Sequence, residues 1–362
     1  MEVPFLSLKK LNKAHEEDFK NALEKFIDSG HYILGESVKE FESAFAQYCE
    51  SGFCVGVANG LDALILILES FNFPSNSEVI VPANTYFASI LAILRAGLKP
   101  VLVEPSLHDY LINAKEVSKK ITNKTTAVLA VNLYGRMCNF TELQSLCTEN
   151  SLKLIVDAAQ SHGAEFGKSK NCIGADAVAY SFYPTKNLGA LADAGAVVTD
   201  NAELAESIKI NRNYGSGIKY QFDFLGQNSR LSELQAMFLS IKLKYLDSEI
   251  AKRRNLAAKY LAEIKNEKIV LPPNDYIHQD AWHLFVIRTE NRNGLAAYLK
   301  QNGIGSDIHY PIPPHKQKAL NEFNGLSLPI TEEIHETILS IPMNSTLSEN
   351  EVDYIISTLN AY

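Results

Sequence analysis

Four short stretches of this 362-residue sequence combine residue types that can do covalent or ligand-binding chemistry. Asp157 follows the apolar run Leu152 to Val156 and opens Asp157-Ala158-Ala159-Gln160-Ser161-His162-Gly163. A carboxylate there is costly unless something cationic meets it. It either caps a helix or serves as counter-ion to a protonated ring nitrogen. Lys186 stands just past a second apolar run, in Ser181-Phe182-Tyr183-Pro184-Thr185-Lys186-Asn187-Leu188-Gly189, where Pro184 stiffens the turn. Loop lysines are mostly solvated, whereas one held at a buried strand end can form a Schiff base. Asn59-Gly60-Leu61-Asp62 opens a helical pattern. Asn59 suits an N-cap, Gly60 lets a ligand approach the backbone, and the free amides of a helix start suit a phosphate. Tyr86, in Pro82-Ala83-Asn84-Thr85-Tyr86-Phe87, either serves the core or lies against a flat heteroaromatic ring.

The elements that must position these residues follow from hydrophobic periodicity. Short apolar runs at residues 55–58, 78–81, 100–103, 127–131, 152–156 and 177–182 read as buried strands, separated by segments of helical length and period. Such alternation predicts a parallel sheet with helices on both faces. Ligands of open α/β sheets gather at the carboxyl ends of the strands, where all four stretches fall. A long helical region is expected from Ser229 towards Tyr260. After Pro272 and Pro273 the pattern changes, with a strand at 282–288 and helices at 293–301 and 349–360. The expected organisation is a large α/β domain over 1–250 and a smaller C-terminal α+β domain over 251–362, with the long helix shared between them.

A strand-end carboxylate, a later strand-end lysine, a helix start for phosphate and an aromatic for stacking together match what pyridoxal 5'-phosphate requires. The chain also resembles the sugar aminotransferases of the DegT/DnrJ/EryC1/StrS family over nearly its whole length. The motifs around Asp157 and Lys186, together with His309-Tyr310-Pro311-Ile312-Pro313-Pro314-His315, carry the resemblance. It implies the aspartate-aminotransferase-type fold (fold type I), with a mostly parallel mixed sheet flanked by helices. It also implies that Lys186 bonds covalently to the cofactor aldehyde, that Asp157 pairs with the pyridine nitrogen and that Gln160 bonds the ring hydroxyl. Tyr86 would stack on the ring, and Ser181 with the Gly60 and Leu61 amides would hold the phosphate. Asn228 would reach that phosphate from a neighbouring subunit, implying a homodimer with shared active sites. Ala192-Asp193-Ala194-Gly195 departs from the more glycine-rich run of many relatives.

Tyr183, His309 and Tyr310 are candidates for gripping a hexose, and Lys219 and Tyr220 for meeting a substrate diphosphate. Leu133-Tyr134-Gly135-Arg136 and the residues after Lys186 resemble relatives that aminate C3 of a dTDP-linked 3-keto-6-deoxyhexose. The expected reaction takes an amino group from glutamate, carries it as pyridoxamine 5'-phosphate, and places it on a nucleotide-linked keto sugar. Amination at C4 is the alternative, followed by a non-catalytic binding or regulatory protein of the same fold. Sugar dehydratases of this fold carry histidine where Lys186 stands.

Composition narrows the partners. The net charge of -8 offers no general attraction to nucleic acid. The longest apolar stretch is too short to span a bilayer, and no secretory leader is visible at the start. The five cysteines form no CxxC pair, so a reducing cytoplasm is expected. The nine histidines are too scattered for a zinc cluster, and the glycine fingerprint of a nicotinamide site is missing.

Overall fold

The computed structural model describes residues 1–170, 172 and 174–362. Seven strands form the main sheet: β1 (Phe53–Val57), β2 (Glu78–Pro82), β3 (Lys99–Val103), β4 (Thr125–Val131), β5 (Lys153–Asp157), β6 (Ala177–Ser181) and β7 (Gly195–Thr199), in the order β1-β7-β6-β5-β4-β2-β3. Strands β2 to β6 pair in parallel. They are continuous apolar runs because both faces are covered. Successive side chains point to opposite faces. Val128 and Ala130 of β4 accordingly enter one core with Phe41, Phe45 and Phe140, while Ala127 and Leu129 enter the other with Leu66 and Ile90.

Strand β7 was not anticipated, and it makes the sheet mixed. It runs antiparallel to both β1 and β6. The chain doubles back after the Lys186 turn, with Phe182 N–H donating to the Ala194 carbonyl at 2.7 Å, so β7 needs no crossover helix. Gly195, the last residue of the run that departs from the glycine-rich pattern of many relatives, opens it. A Cβ there would lie 2.4 Å from the backbone of Asn59, so glycine is required.

The long helical region is two helices, Glu233–Leu243 and Leu246–Glu263, interrupted at Lys244 and Tyr245. Ser229 lies outside both. Two further strands, β8 (Phe285–Arg288) and the unanticipated β9 (Ile338–Ile341), pair antiparallel. They pack with helices Arg292–Gln301 and Glu349–Ala361 around Tyr260, Trp282, Phe285 and Leu359. Val3 joins this cluster and bridges Ile304. Residue 250 falls inside the helix Leu246–Glu263. Ile250 packs in the core of the main sheet, and Ala257, two turns on, in the C-terminal cluster. Among the described residues no helix is long and apolar enough to cross a membrane.

Candidate active site

Asp157 is the last residue of β5, and its carboxylate is buried. No helix follows it, so it is not an N-cap. Ser89 Oγ donates to Oδ2 at 2.8 Å and Ala159 N–H to Oδ1 at 3.1 Å. Burial raises its pKa, against the opposing pull of those two donors and of Lys186. Lys186 follows β6, which lies beside β5. Its turn closes with Lys186 N–H donating to the Tyr183 carbonyl at 2.8 Å. Gly189 shows how tight the turn is, because a Cβ there would meet the Pro184 carbonyl oxygen at 2.5 Å. Burial pushes the Lys186 amine down to about 8, opposed by the charge of Asp157. Among the described residues the two charges form no ion pair within 4.0 Å. Amine and carboxylate thus share one site while leaving space between them.

The phosphate candidates come together on one side of that space. Gly60 begins the helix Gly60–Ser70, with Asn59 Oδ1 accepting from Asp62 N–H at 2.9 Å. A Cβ on Gly60 would lie 2.6 Å from the Ser181 Cβ, so the helix start and the end of β6 are in direct contact. The first amides of this helix, including Leu61, lack intrahelical acceptors. Ser181 Oγ adds a hydroxyl beside them. Such a cradle of amides and a hydroxyl fits a phosphate, and a buried carboxylate without a cation fits a protonated pyridine nitrogen.

Aromatic and polar groups close the other side. Tyr86 is exposed, its ring centroid 5.2 Å from that of Tyr310. Gln160 bridges two residues: its Nε2 donates to the Tyr310 hydroxyl at 3.0 Å, and its Oε1 accepts from Tyr134 N–H at 2.7 Å. Tyr134, at a positive φ of 61°, donates its hydroxyl to the His309 carbonyl at 2.5 Å. His309 Nδ1 lies 2.9 Å from Ser340 Oγ and its ring stacks on Phe5. Burial lowers its pKa, with Asp307 acting against this and Lys186 adding to it. Tyr183, just before the lysine turn, is exposed.

Three predicted residues stand apart. Lys219 and Tyr220 lie on an exposed turn, the Lys219 amine 5.0 Å from the Tyr220 ring centroid. Asn228 is exposed on a bridge to Asn213. Among the described residues none of the three forms a hydrogen bond, ion pair or ring contact with Asp157 or Lys186. They border a loop whose Ile218, Phe222, Phe224 and Leu225 are all exposed.

Several site residues were not singled out by sequence. Ser89 and Thr85 stand behind Asp157. Asn187 ties the lysine turn to the next region: its Nδ2 donates to the Ala281 carbonyl at 2.9 Å, and its Oδ1 lies 3.4 Å from His283 Nδ1. His162 is buried against Tyr180 and Phe182. Burial first, then the Lys186 charge, drives its pKa down to about 3, which keeps the ring neutral. Thr85, His162 and Asn187 lie within the quoted motifs without having been given a role there, and Ser89 left its own signal as a polar residue within the apolar helix Phe87–Arg95.

The family model described as the DegT/DnrJ/EryC1/StrS aminotransferase family matches residues 13–360. The chain is 47% identical over 361 residues to the dTDP-3-amino-3,6-dideoxy-alpha-D-galactopyranose transaminase of Aneurinibacillus thermoaerophilus, covering 99% of each chain. It is 40% identical over 366 residues to the dTDP-3-amino-3,4,6-trideoxy-alpha-D-glucose transaminase of Streptomyces venezuelae, covering 99% of this chain and 96% of the relative. The crystal structure of S. venezuelae DesV in complex with a ketimine intermediate superposes with a TM-score of 0.96 at 40% identity, over 99% of this chain and 98% of DesV.

Proposed function

The chain belongs to the DegT/DnrJ/EryC1/StrS family of pyridoxal-phosphate aminotransferases, and we propose that it transfers the amino group of glutamate to C3 of a dTDP-linked 3-keto-6-deoxyhexose. The observation that carries this reading is that buried Asp157, at the end of β5, and half-buried Lys186, in the turn after the neighbouring β6, influence each other's proton affinity without forming an ion pair. The two relatives, whose names specify 3-amino sugars on dTDP, support the choice of carbon and nucleotide.

When bound, pyridoxal phosphate supplies an aldehyde that exchanges amines and a ring that takes up the electron pair left by a departing proton. Asp157 holds a proton on the ring nitrogen. Lys186 Nζ takes the proton from the α-carbon of glutamate, and in the second half-reaction moves a proton at C3 of the sugar. Gly60, Leu61 and Ser181 hold the phosphate, Tyr86 stacks on the ring, and Gln160 meets the ring hydroxyl. Tyr183, His309 and Tyr310 orient the hexose. Lys219 and Tyr220 meet the diphosphate, and Asn228 reaches the phosphate of a partner subunit. An exposed apolar loop at 218–225 supports a homodimer. We place the protein in the cytoplasm, and divide it into a large unit over 1–250 and a smaller one over 251–362.

The test is incubation of the cofactor-loaded protein with glutamate and a panel of dTDP-keto sugars, with products identified by mass spectrometry and NMR. Amination at C3 is expected. Amination at C4 would overturn the regiochemistry alone. A colourless protein that ignores added pyridoxal phosphate would point to a binding role.

A further inference from the structure

Asp157 is held by more than the strand that carries it. Its Oδ2 accepts from Ser89 Oγ at 2.8 Å, and Ser89 Oγ lies 2.7 Å from Thr85 Oγ1. Thr85 and Ser89 are both buried, at 1% and 0% exposure, so neither hydroxyl turns to water instead. The direction of this chain follows from the donor inventory. An ionised carboxylate only accepts, and serine has one hydroxyl proton. Ser89 therefore donates to Asp157 and must accept from Thr85. The Ala159 N–H, which can only donate, fixes the other oxygen at 3.1 Å. Each carboxylate oxygen thus has one donor from the protein and keeps accepting capacity for a ligand.

We propose that Thr85 and Ser89 are positioning residues, a two-hydroxyl relay that keeps Asp157 ionised and rotationally fixed so that it holds a proton on the cofactor's ring nitrogen. This rests on the reading that Asp157 faces that nitrogen. The physical need is plain. Burial favours the neutral carboxyl, and a neutral carboxyl would give up its hold on a pyridinium. Hydrogen bonds to a charged acceptor oppose this, and a chain of two polarises more than one. The Lys186 ammonium also favours the charged carboxylate, but its charge is lost whenever its nitrogen is covalently engaged or neutral. The relay acts whatever the state of Lys186.

The experiment loads the full-length protein with pyridoxal phosphate labelled with 15N in the ring and follows the ring-nitrogen shift by NMR across pH. Wild type should show a protonated nitrogen at neutral pH. Ser89→Ala should lower the nitrogen's proton affinity on the order of tenfold, about one pH unit in midpoint. Thr85→Val should lower it by less, and Thr85→Ser, which keeps the hydroxyl, should restore it. Asp157→Ala should leave the nitrogen unprotonated. If Asp157→Ala leaves the shift unchanged, the underlying assignment of Asp157 fails. If Asp157→Ala removes the proton while Ser89→Ala and Thr85→Val leave the midpoint alone, only the relay is overturned. Should Ser89→Ala not fold, the Thr85→Val and Thr85→Ser pair decides the question.

Discussion

Asp157 and Lys186 stand at the carboxyl ends of neighbouring parallel strands and alter each other's proton affinity across a gap too wide for an ion pair. A direct bridge would satisfy both charges and leave nothing for a ligand. Separated, each keeps an unmet demand: a carboxylate that wants a proton donor, and an amine whose proton is loosely held.

The loosely held proton leads to a pH prediction. An ordinary lysine loses its proton near 10.5, and burial brings Lys186 to about 8. Below that midpoint the neutral, nucleophilic fraction grows tenfold per pH unit; above it the fraction levels off. Capture of pyridoxal phosphate by cofactor-free protein, trapped with borohydride and read by mass spectrometry, should rise to a plateau just above pH 8. Initial capture rates still climbing tenfold per unit at pH 10 would contradict the shift. Lys186→Ala should show no trapped adduct and no turnover.

Gly60→Ala tests the phosphate cradle. The added Cβ would meet Ser181 Cβ at 2.6 Å and its Cα at 3.2 Å, an overpacking worth roughly 1–3 kcal/mol. Alanine is a good helix residue, so the helix Gly60–Ser70 should survive. Affinity for pyridoxal phosphate, measured by fluorescence titration, should fall about tenfold or more with the circular dichroism spectrum unchanged. Unaltered affinity would move the phosphate site elsewhere.

Arg136 and Asp280 form a buried pair, with Arg136 Nη2 2.6 Å from Asp280 Oδ2 and Nε donating to the same oxygen at 2.9 Å. Removing one partner strands a charge in the interior. Arg136→Ala should cost about 3–5 kcal/mol in urea unfolding. Asp280→Asn added to it should recover a good part, because the stranded charge is gone. A double variant no more stable than the single one would show that packing, not charge, dominates there.

The proposed homodimer with shared active sites predicts complementation. Lys186→Ala and Asn228→Ala subunits, each impaired alone, should regain activity when mixed and allowed to exchange. A hybrid dimer contains one intact site, so an equal mixture should reach about a quarter of wild-type activity. No gain on mixing, with exchange verified by native mass spectrometry, would place Asn228 outside the partner's site.

Much of the site was legible in the sequence because its residues follow their strands directly. Asp157, Lys186, Gly60 and Tyr86 each come within a few residues of a buried apolar run, and a parallel sheet gathers such ends on one edge. Strand β7 was less legible. Its run Gly195 to Thr199 is as long and as buried as its neighbours, but it inserts beside β6 by doubling back, not by the crossover that the surrounding alternation suggests. The break at Lys244 and Tyr245 was hidden because the helical pattern continues on both sides.

The sequence by itself determined the chemistry on offer: a lysine and a carboxylate at strand ends, a glycine-led helix start, and motifs shared with sugar aminotransferases. These are local facts, set by residue type and by periods of two and 3.6. Only the tertiary structure decided what stands behind them. Glu233 takes the Gly35, Ser37 and Val38 amides from 195 to 198 residues away, and Ser89 reaches Asp157 across 68. Burial that loosens the Lys186 proton and a hydroxyl that keeps Asp157 charged both arise from packing between distant segments. No local pattern records such partners, because a buried polar group is satisfied by whatever the fold brings within about 3 Å.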